Sequence, residues 1–191
     1  MYDNCVMIQL SDDVIANCET FHCGNTDLDD FFLNDAKKYS EELMGKTYCW
    51  LTENKPHKIV ALFTLANDSI KTTYLESSTK NRLNRKIENP QRGRSYPAVL
   101  IGRIGINIEF QGKQIGSQLI KFIKDWFRAE DNKTGCRFIV VDAYNTSRTL
   151  KFYERNGFRF IHKTEDEEKI YYHINDDLIT TRLMYFDLKI K

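Results

Sequence analysis

The stretch that most limits how this 191-residue chain can fold runs from Ala98 to Phe127. Ala98 to Phe110 is largely apolar and is expected to be one long strand. It leads into Gln111-Gly-Lys-Gln-Ile-Gly-Ser117, after which Ile115, Leu119, Ile120, Ile123, Trp126 and Phe127 recur at helical spacing. A strand that turns through small residues directly into an amphipathic helix points to an α/β (α+β) fold, with helices covering a twisted sheet. The corner also has chemistry. Glycines let the backbone approach a ligand, and a helix start offers unpaired N–H groups at the positive end of its macrodipole. Together these suit a pyrophosphate. The turn is not a Walker A loop, because no Gly-Lys-Ser/Thr follows the required spacer, and no G-x-G-x-x-G is present. Taken alone, two glycines at a plain structural corner would look the same.

The remaining elements read as an alternation around a strand-rich chain. Val6 to Leu10 is expected to be a strand ending in a turn at Ser11-Asp12-Asp13. A capping Thr26 or Asp27 followed by Leu28, Phe31, Phe32 and Ala36 predicts a helix from about 27 to 42. Thr47 to Thr52 and Lys58 to Ala66 form a hairpin around Glu53-Asn-Lys-Pro56. Phe138 to Val141 is a buried strand by composition. Thr146 or Ser147 caps a helix that runs to Asn156 and stops at Gly157 in the left-handed conformation. Phe158 to Ile161, Ile170 to Ile174 and Thr181 to Leu188 are further expected strands, and the acidic Glu165 to Glu168 an expected turn.

Composition bounds the function class. The size is that of one ordinary domain spanning 1–191, and 12 Phe with 10 Tyr are enough for a real core. With 28 basic and 27 acidic residues the net charge is +1, so no global field selects nucleic acid or membrane. The longest apolar run, Ile59 to Ala66, has a strand's length, so no membrane partner is expected. The N-terminus has no basic lead and the five cysteines include no C-x-x-C pair, which reads as a cytoplasmic protein without a disulfide framework. The four histidines lack metal-ligand spacing, and no metal is expected. Within 71–94, seven basic residues (Lys71, Lys80, Arg82, Arg85, Lys86, Arg92, Arg94) face two acids, Glu76 and Glu88, a local +5. A solvated helix and loop, broken by Asn89-Pro90 and Arg92-Gly93, accounts for this. An anion-facing surface is the sharper alternative.

A second block follows the turn: Asp142-Ala-Tyr-Asn145-Thr-Ser-Arg-Thr-Leu-Lys-Phe152-Tyr153-Glu-Arg-Asn-Gly157-Phe158. With both blocks in this order, the chain resembles the GNAT superfamily of acyl-CoA-dependent N-acetyltransferases. The family's Q/R-x-x-G-x-G/A turn is matched at Gln111, Gly112, Lys113, Ile115 and Gly116, and Gln114 stands where the family usually has glycine. The resemblance implies a mixed sheet splayed into a V-shaped cleft for acetyl-CoA as co-substrate. The pantetheine would pair with the backbone near Ile104 and Ile106. The pyrophosphate would sit on Gln111, Gly112, Lys113, Gln114, Ile115, Gly116 and Ser117. Asn145 would hydrogen-bond the cofactor arm, and Tyr153 would aim its hydroxyl at the thioester sulfur. A thiol near pKa 8.5 facing a phenol near 10 makes proton transfer slightly uphill, so such a hydroxyl mainly stabilises developing charge. No base is evident; Glu109 is the nearest carboxylate in sequence, and a cysteine nucleophile lacks a visible histidine partner. Read without the family, Tyr153 beside Phe152 is a packing residue, Asn145 a turn residue, and Trp50, Phe122, Trp126 and Phe127 are core and cleft wall.

The acceptor side is less constrained. Phe21-His-Cys23-Gly24-Asn-Thr-Asp-Leu28-Asp29-Asp-Phe31-Phe32-Leu33 is similar to the F-x-C-G-x-x-x-L-D-x-F/W-L opening of GNAT-type toxins of bacterial toxin–antitoxin modules, and Ile59 to Ala66 and Gly102-Arg103-Ile-Gly-Ile follow their pattern. That likeness implies an aminoacyl-tRNA acceptor, tRNA contacts through basic residues including Arg103, and an antitoxin partner. The near-neutral overall charge argues for a general N-acetyltransferase whose amine acceptor is a small molecule, a protein or aminoacyl-tRNA. A non-catalytic acyl-CoA-binding module, for which Gln114 is the hint, and an unrelated helix–sheet binding protein are the alternatives from other classes. An edge strand or the long helix would serve a homodimer.

Overall fold

The computed structural model describes residues 5–73, 75–85, 87, 95–132, 134–175 and 178–190. The fold is α/β, a mixed sheet with flanking helices, and the chain divides into two compact units. One comprises the chain up to Asn67 together with Ile101–Trp126; the other comprises Asp68–Leu100 and the chain from Phe127 onward.

The first unit opens with β1 (Cys5–Gln9) and α1 (Asp12–Asn17). The expected turn at Ser11 is instead a helix start: its Oγ accepts the Val14 N–H, and Asp12 and Asp13 lie in the first turn where the macrodipole favours acids. After the short β2 (Cys18–Glu19) come α2 (Thr26–Asp30), a π-helical turn (Phe31–Asp35) and α3 (Ala36–Glu41), which together occupy the expected helix. Its cap is Asn25, whose side chain accepts the Leu28 N–H at 3.1 Å. The wider π turn rotates the apolar stripe, and consecutive Phe31 and Phe32 are both buried. The hairpin of β3 (Lys46–Thr52) and β4 (His57–Lys71) is antiparallel, as is β1 against β3. Strand order here is β1-β3-β4-β5, where β5 (Ser95–Ile106) contributes its second half. Ile115, Leu119, Ile120 and Ile123 of α5 (Ile115–Arg128) are buried, as the helical spacing predicts. Trp50, Phe122, Trp126 and Tyr48 meet edge-on or tilted with ring centroids 5.1–5.7 Å apart.

The second unit has strand order β5-β6-β8-β7, with β6 (Phe138–Tyr144), β7 (Arg159–Phe160) and β8 (Thr181–Asp187). The β5–β6 pair is parallel and registers Ala98–Leu100 against Phe138–Val140, while β6–β8 and β7–β8 are antiparallel. Phe138 to Val141 are buried without alternation, the mark of a strand covered on both faces. Its helices are α4 (Ser77–Asn84), α6 (Ser147–Arg155) and α7 (Glu165–Tyr172).

Helix α7 corrects two expectations, because Glu165 to Glu168 is not a turn and Ile170 to Ile174 is not a strand. Thr164 caps the helix by accepting the Glu167 N–H, and Glu167 accepts the Lys163 N–H at 2.7 Å. Four acids fill its first turn. The helix is fastened by a buried ion pair: Arg182 Nε meets Glu168 Oε2 at 2.6 Å, and Glu168 also accepts the Leu183 N–H. Strand β5 is likewise shorter than expected, ending at Ile106 rather than Phe110, with a 3-10 turn at Ile108–Phe110. Within the basic segment, Arg82 donates to the carbonyls of Phe160 and Ile161 at 2.8 Å, a structural use of its charge. Lys86, Glu88, the expected helix break at 89–93, Arg92 and Arg94 lie outside the described residues. Among the described residues no helix is long and apolar enough to cross a membrane.

Candidate active site

The turn after β5 is set by Asn107. This buried residue donates its N–H to Val60 O at 3.0 Å and its Nδ2 to Ile59 O at 3.1 Å, and its Oδ1 accepts the Glu109 N–H. These bonds end β5 and start the 3-10 turn. Gln111 to Gln114 are then exposed. Gln111 does not point outward freely: Nε2 donates to Ile106 O at 2.9 Å and Cys23 O at 2.8 Å. Gly112 has φ +78°, and a Cβ there would meet nothing within 4 Å. Gln114 has φ +60°, the left-handed conformation in which glycine is unstrained. The departure from the family's glycine therefore changes the side chain while the backbone keeps the glycine conformation.

Ile115 is buried and anchors α5, Gly116 and Ser117 are half-buried in its first turn, and no acid occupies that turn. Lys113 Nζ lies 5.3 Å from the Phe110 ring. Open space over Gly112, an exposed turn and an acid-free N-terminus on a 14-residue helix fit a pyrophosphate.

Strand β5 is braced from the opening motif. A Cβ on Gly105 would stand 3.2 Å from both Phe21 Cζ and Phe32 Cε2 and 3.3 Å from Cys23 Cβ. A side chain there would have to displace these neighbours by a few tenths of an ångström, so glycine gives the closest packing between the half-buried Ile104 and Ile106. Ile108 N–H donates to His22 O at 2.9 Å, and Asp29 Oδ1 accepts the Cys23 N–H at 2.8 Å. The Phe21–Leu33 motif thus buttresses the strand and the turn through backbone bonds. The sequence does not by itself reveal Asn107, Gly105 and Asp29 in these roles; the Asn-x-Glu spacing just past the strand is the one local signal for Asn107.

The catalytic alternatives weaken. Glu109 is ion-paired with Lys58 at 2.9 Å, which also meets Glu19 at 3.1 Å. Burial pushes all five thiols up, Cys23 to about 11 and Cys49 to about 12, so none is primed as a nucleophile. Among the described residues no three His, Cys, Asp or Glu side chains gather as a metal-holding group.

Asn145 and Tyr153 belong to the second unit. Asn145 follows β6, and its N–H donates to Thr180 O at 2.8 Å. Its Nδ2 donates at 3.0 Å to both Ile179 O and Glu165 Oε1, so α7 positions the side chain. Thr146 caps α6 by accepting the Thr149 N–H, and Gly157 at φ +78° closes it. Tyr153 is 5% exposed on α6, its ring fixed edge-on between Phe152 and Phe158 at 5.1 and 5.3 Å. Burial raises its hydroxyl well above the ordinary phenol value, which keeps it a neutral donor.

Residues 79–160 match the family model described as an acetyltransferase (GNAT) domain. Among solved structures, a variant of KacT is similar at TM-score 0.73 and 15% identity, covering 97% of this chain and 96% of that one. AtaT complexed with acetyl-methionyl-tRNAfMet is similar at 0.72 and 18% identity, covering 97% and 96%. AtaTR bound with acetyl-CoA is similar at 0.71 and 18% identity, covering 98% and 95%. At these identities the likeness is one of fold. No curated protein sequence matches the chain.

Proposed function

We infer that this protein, which carries a GNAT acetyltransferase domain over residues 79–160, moves an acetyl group from acetyl-CoA to a primary amine by direct transfer in a ternary complex. The observation that carries the reading is the turn: a strand, an exposed loop held open at Gly112 and Gln114, and an acid-free helix start. Bound acetyl-CoA supplies an activated thioester whose thiolate departs. Backbone N–H groups from Gln111 to Ser117 hold the pyrophosphate, and the backbone at Ile104 and Ile106 pairs with the pantetheine arm. Asn145 has both amide hydrogens engaged within the protein, which leaves Oδ1 to accept from that arm. Tyr153 donates its hydroxyl hydrogen to the sulfur as negative charge builds there. With its phenol raised by burial, full proton transfer to a thiolate near pKa 8.5 is uphill, so the hydrogen bond itself is the contribution. Holding both reactants in one orientation supplies much of the remaining acceleration. Structures of KacT and AtaT were solved with a tyrosine replaced by phenylalanine, which fits a tyrosine of interest in that fold.

A second reading makes aminoacyl-tRNA the acceptor and an antitoxin the partner. It is favoured by the opening motif, whose Phe21, Cys23 and Phe32 close on Gly105 of the strand that carries the proposed site. AtaT, of the same fold, has been seen with acetyl-methionyl-tRNAfMet, and with the C-terminus of the antitoxin AtaR.

Thiol release from acetyl-CoA by purified protein tests both readings, with small amines and with a mixed pool of charged tRNA. Release that requires charged tRNA and collapses in Tyr153→Phe is the outcome the second reading expects. Release with small amines alone removes it and keeps the first. Coenzyme A binding without turnover on any acceptor would overturn both.

A further inference from the structure

Helix α1, the short β2 and the helical motif after it leave a cavity of about 330 Å³ on the first unit, inside the size range of small-ligand pockets. Its walls include Leu10, Ile15, Ile59 and Leu62, with Phe21 and Phe32 beside them. These two rings stand 5.8 Å apart at 88°, which makes a right-angled aromatic corner. Three carboxylates, Glu19, Asp29 and Asp30, line the same cavity, and among the described residues that line it His22 alone is basic. The fold uses these carboxylates only in part. Asp29 accepts the Cys23 N–H through Oδ1 and lies 3.7 Å from His22 Nδ1, while Asp30 accepts from Asn34 Nδ2 at 2.7 Å. Glu19 shares Lys58 with Glu109. An apolar pocket with an aromatic corner and an excess of negative charge selects a cation with an apolar body, because ring faces attract positive charge and carboxylates pair with it.

We propose that this cavity binds a small organic ammonium ion with an alkyl or aralkyl body, and that its occupancy is coupled to cofactor binding at the 111–117 turn. The cation site stands on its own geometry, and the coupling rests on the acetyltransferase reading. The bound cation is an effector and not the acceptor. Carboxylates stabilise the protonated ammonium, whereas acetyl transfer needs a neutral amine. Ile104, Ile106 and the 111–117 turn are also absent from the lining, so the cavity stands apart from the proposed cofactor contacts. The two places are nevertheless tied together inside the first unit. Phe21 and Phe32 meet β5 at Gly105, His22 O accepts the Ile108 N–H at 2.9 Å, and Cys23 O accepts Gln111 Nε2 at 2.8 Å. A cation packed on Phe21 and paired with Asp29 holds the same 21–23 backbone that holds the turn, so the second ligand meets a segment already fixed. Such coupling is reciprocal.

Calorimetric titration of the intact chain with phenethyltrimethylammonium is the test, because a quaternary nitrogen binds as a cation and cannot be acetylated. Phenethyl alcohol and hydrocinnamate, its uncharged and anionic counterparts, should bind at least about tenfold more weakly. Asp30→Asn removes an exposed charge and should raise the ammonium Kd about threefold to tenfold. Ile15→Trp fills the cavity from a half-buried position and should abolish binding, with Tm measured to show that both variants stay folded. Saturating acetyl-CoA should tighten ammonium binding at least about threefold, and saturating ammonium should tighten acetyl-CoA binding by the same factor. No ammonium binding, equal binding of the alcohol, or binding undiminished in Ile15→Trp would overturn the cation site. Two affinities that ignore each other would overturn the coupling. A chain that binds the ammonium but not acetyl-CoA would remove the acetyltransferase reading and the coupling with it, and would leave the cation site standing.

Discussion

The turn proposed to hold the pyrophosphate and the Tyr153 block are built on opposite principles. From Gln111 to Gln114 every residue is exposed, and two of the four have positive φ. What that turn offers a ligand is backbone, so its side chains can vary as long as the backbone conformation survives, and Gln114 is such a variation. Tyr153 is 5% exposed, clamped by two phenylalanines, and offers a single hydroxyl. Nearby Asn145 is steered by Glu165 on a helix that is itself fastened by the Glu168–Arg182 pair. A backbone-built site fails through conformation, whereas a side-chain-built site fails through the loss of one atom.

That contrast can be broken at either end. Tyr153→Phe removes one oxygen, and kcat is expected to fall about 100-fold or more while the KM for acetyl-CoA moves less than about threefold. Full kcat in steady-state assays would place the chemistry elsewhere. Arg182→Met leaves Glu168 buried without its partner and should cost about 3–5 kcal/mol, read as a Tm lower by about 6–20 °C in thermal denaturation. A loss below about 1 kcal/mol would mean that α7 does not depend on the pair. Gly112→Val forces a β-branched residue to φ +78° and should destabilise by about 1–2 kcal/mol. Its KM for acetyl-CoA should rise about tenfold with kcat retained, and a fall in kcat alone would contradict a backbone role.

Two smaller effects sharpen the comparison. His162 is 2% exposed, and burial lowers its pKa, with Arg82 and Arg182 adding to the effect and Glu167 opposing it. The unfolded chain therefore binds the proton more readily. Stability should be unaffected by this group above about pH 6.5 and decline as the pH falls below it. His162→Gln should flatten that limb in urea titrations, and an unchanged limb would assign it to other groups. Gln114→Gly relieves the left-handed strain but loosens the unfolded chain, so a net gain of at most about 1 kcal/mol is expected, with the KM for acetyl-CoA changed less than about twofold. A large gain in cofactor affinity would show that the glutamine side chain, rather than the backbone, had been limiting.

Much of the framework was legible because it follows from local periodicity. The spacing of Ile115, Leu119, Ile120 and Ile123 predicts α5, and all four are buried. Thr146 and Gly157 mark the ends of α6 through cap chemistry that a sequence displays directly. Helix α7 is obscured in the sequence because acidic residues next to Ile170 and two tyrosines look like a turn and a strand, while the Thr164 cap and the buried Glu168–Arg182 pair favour a helix. Strand β5 looks longer in the sequence than it is because Ile108 and Phe110 continue the apolar run, and only the bonds from Asn107 to β4 end it.

The sequence by itself determined most of the element types, with α1 and α7 the exceptions, and also the glycine-bearing corner and the order of the two motif blocks, because caps, turns and hydrophobic spacing act within a few residues of one another. Only the tertiary structure decided that Gly105 packs closely beneath Phe21 and Phe32. It also decided that Asn145 is aimed by Glu165 and that the Arg103 guanidinium lies 3.6 Å from the centre of the Phe31 ring. Each of these depends on a contact between residues far apart in the chain, and a linear pattern holds no record of which distant side chain arrives to make it.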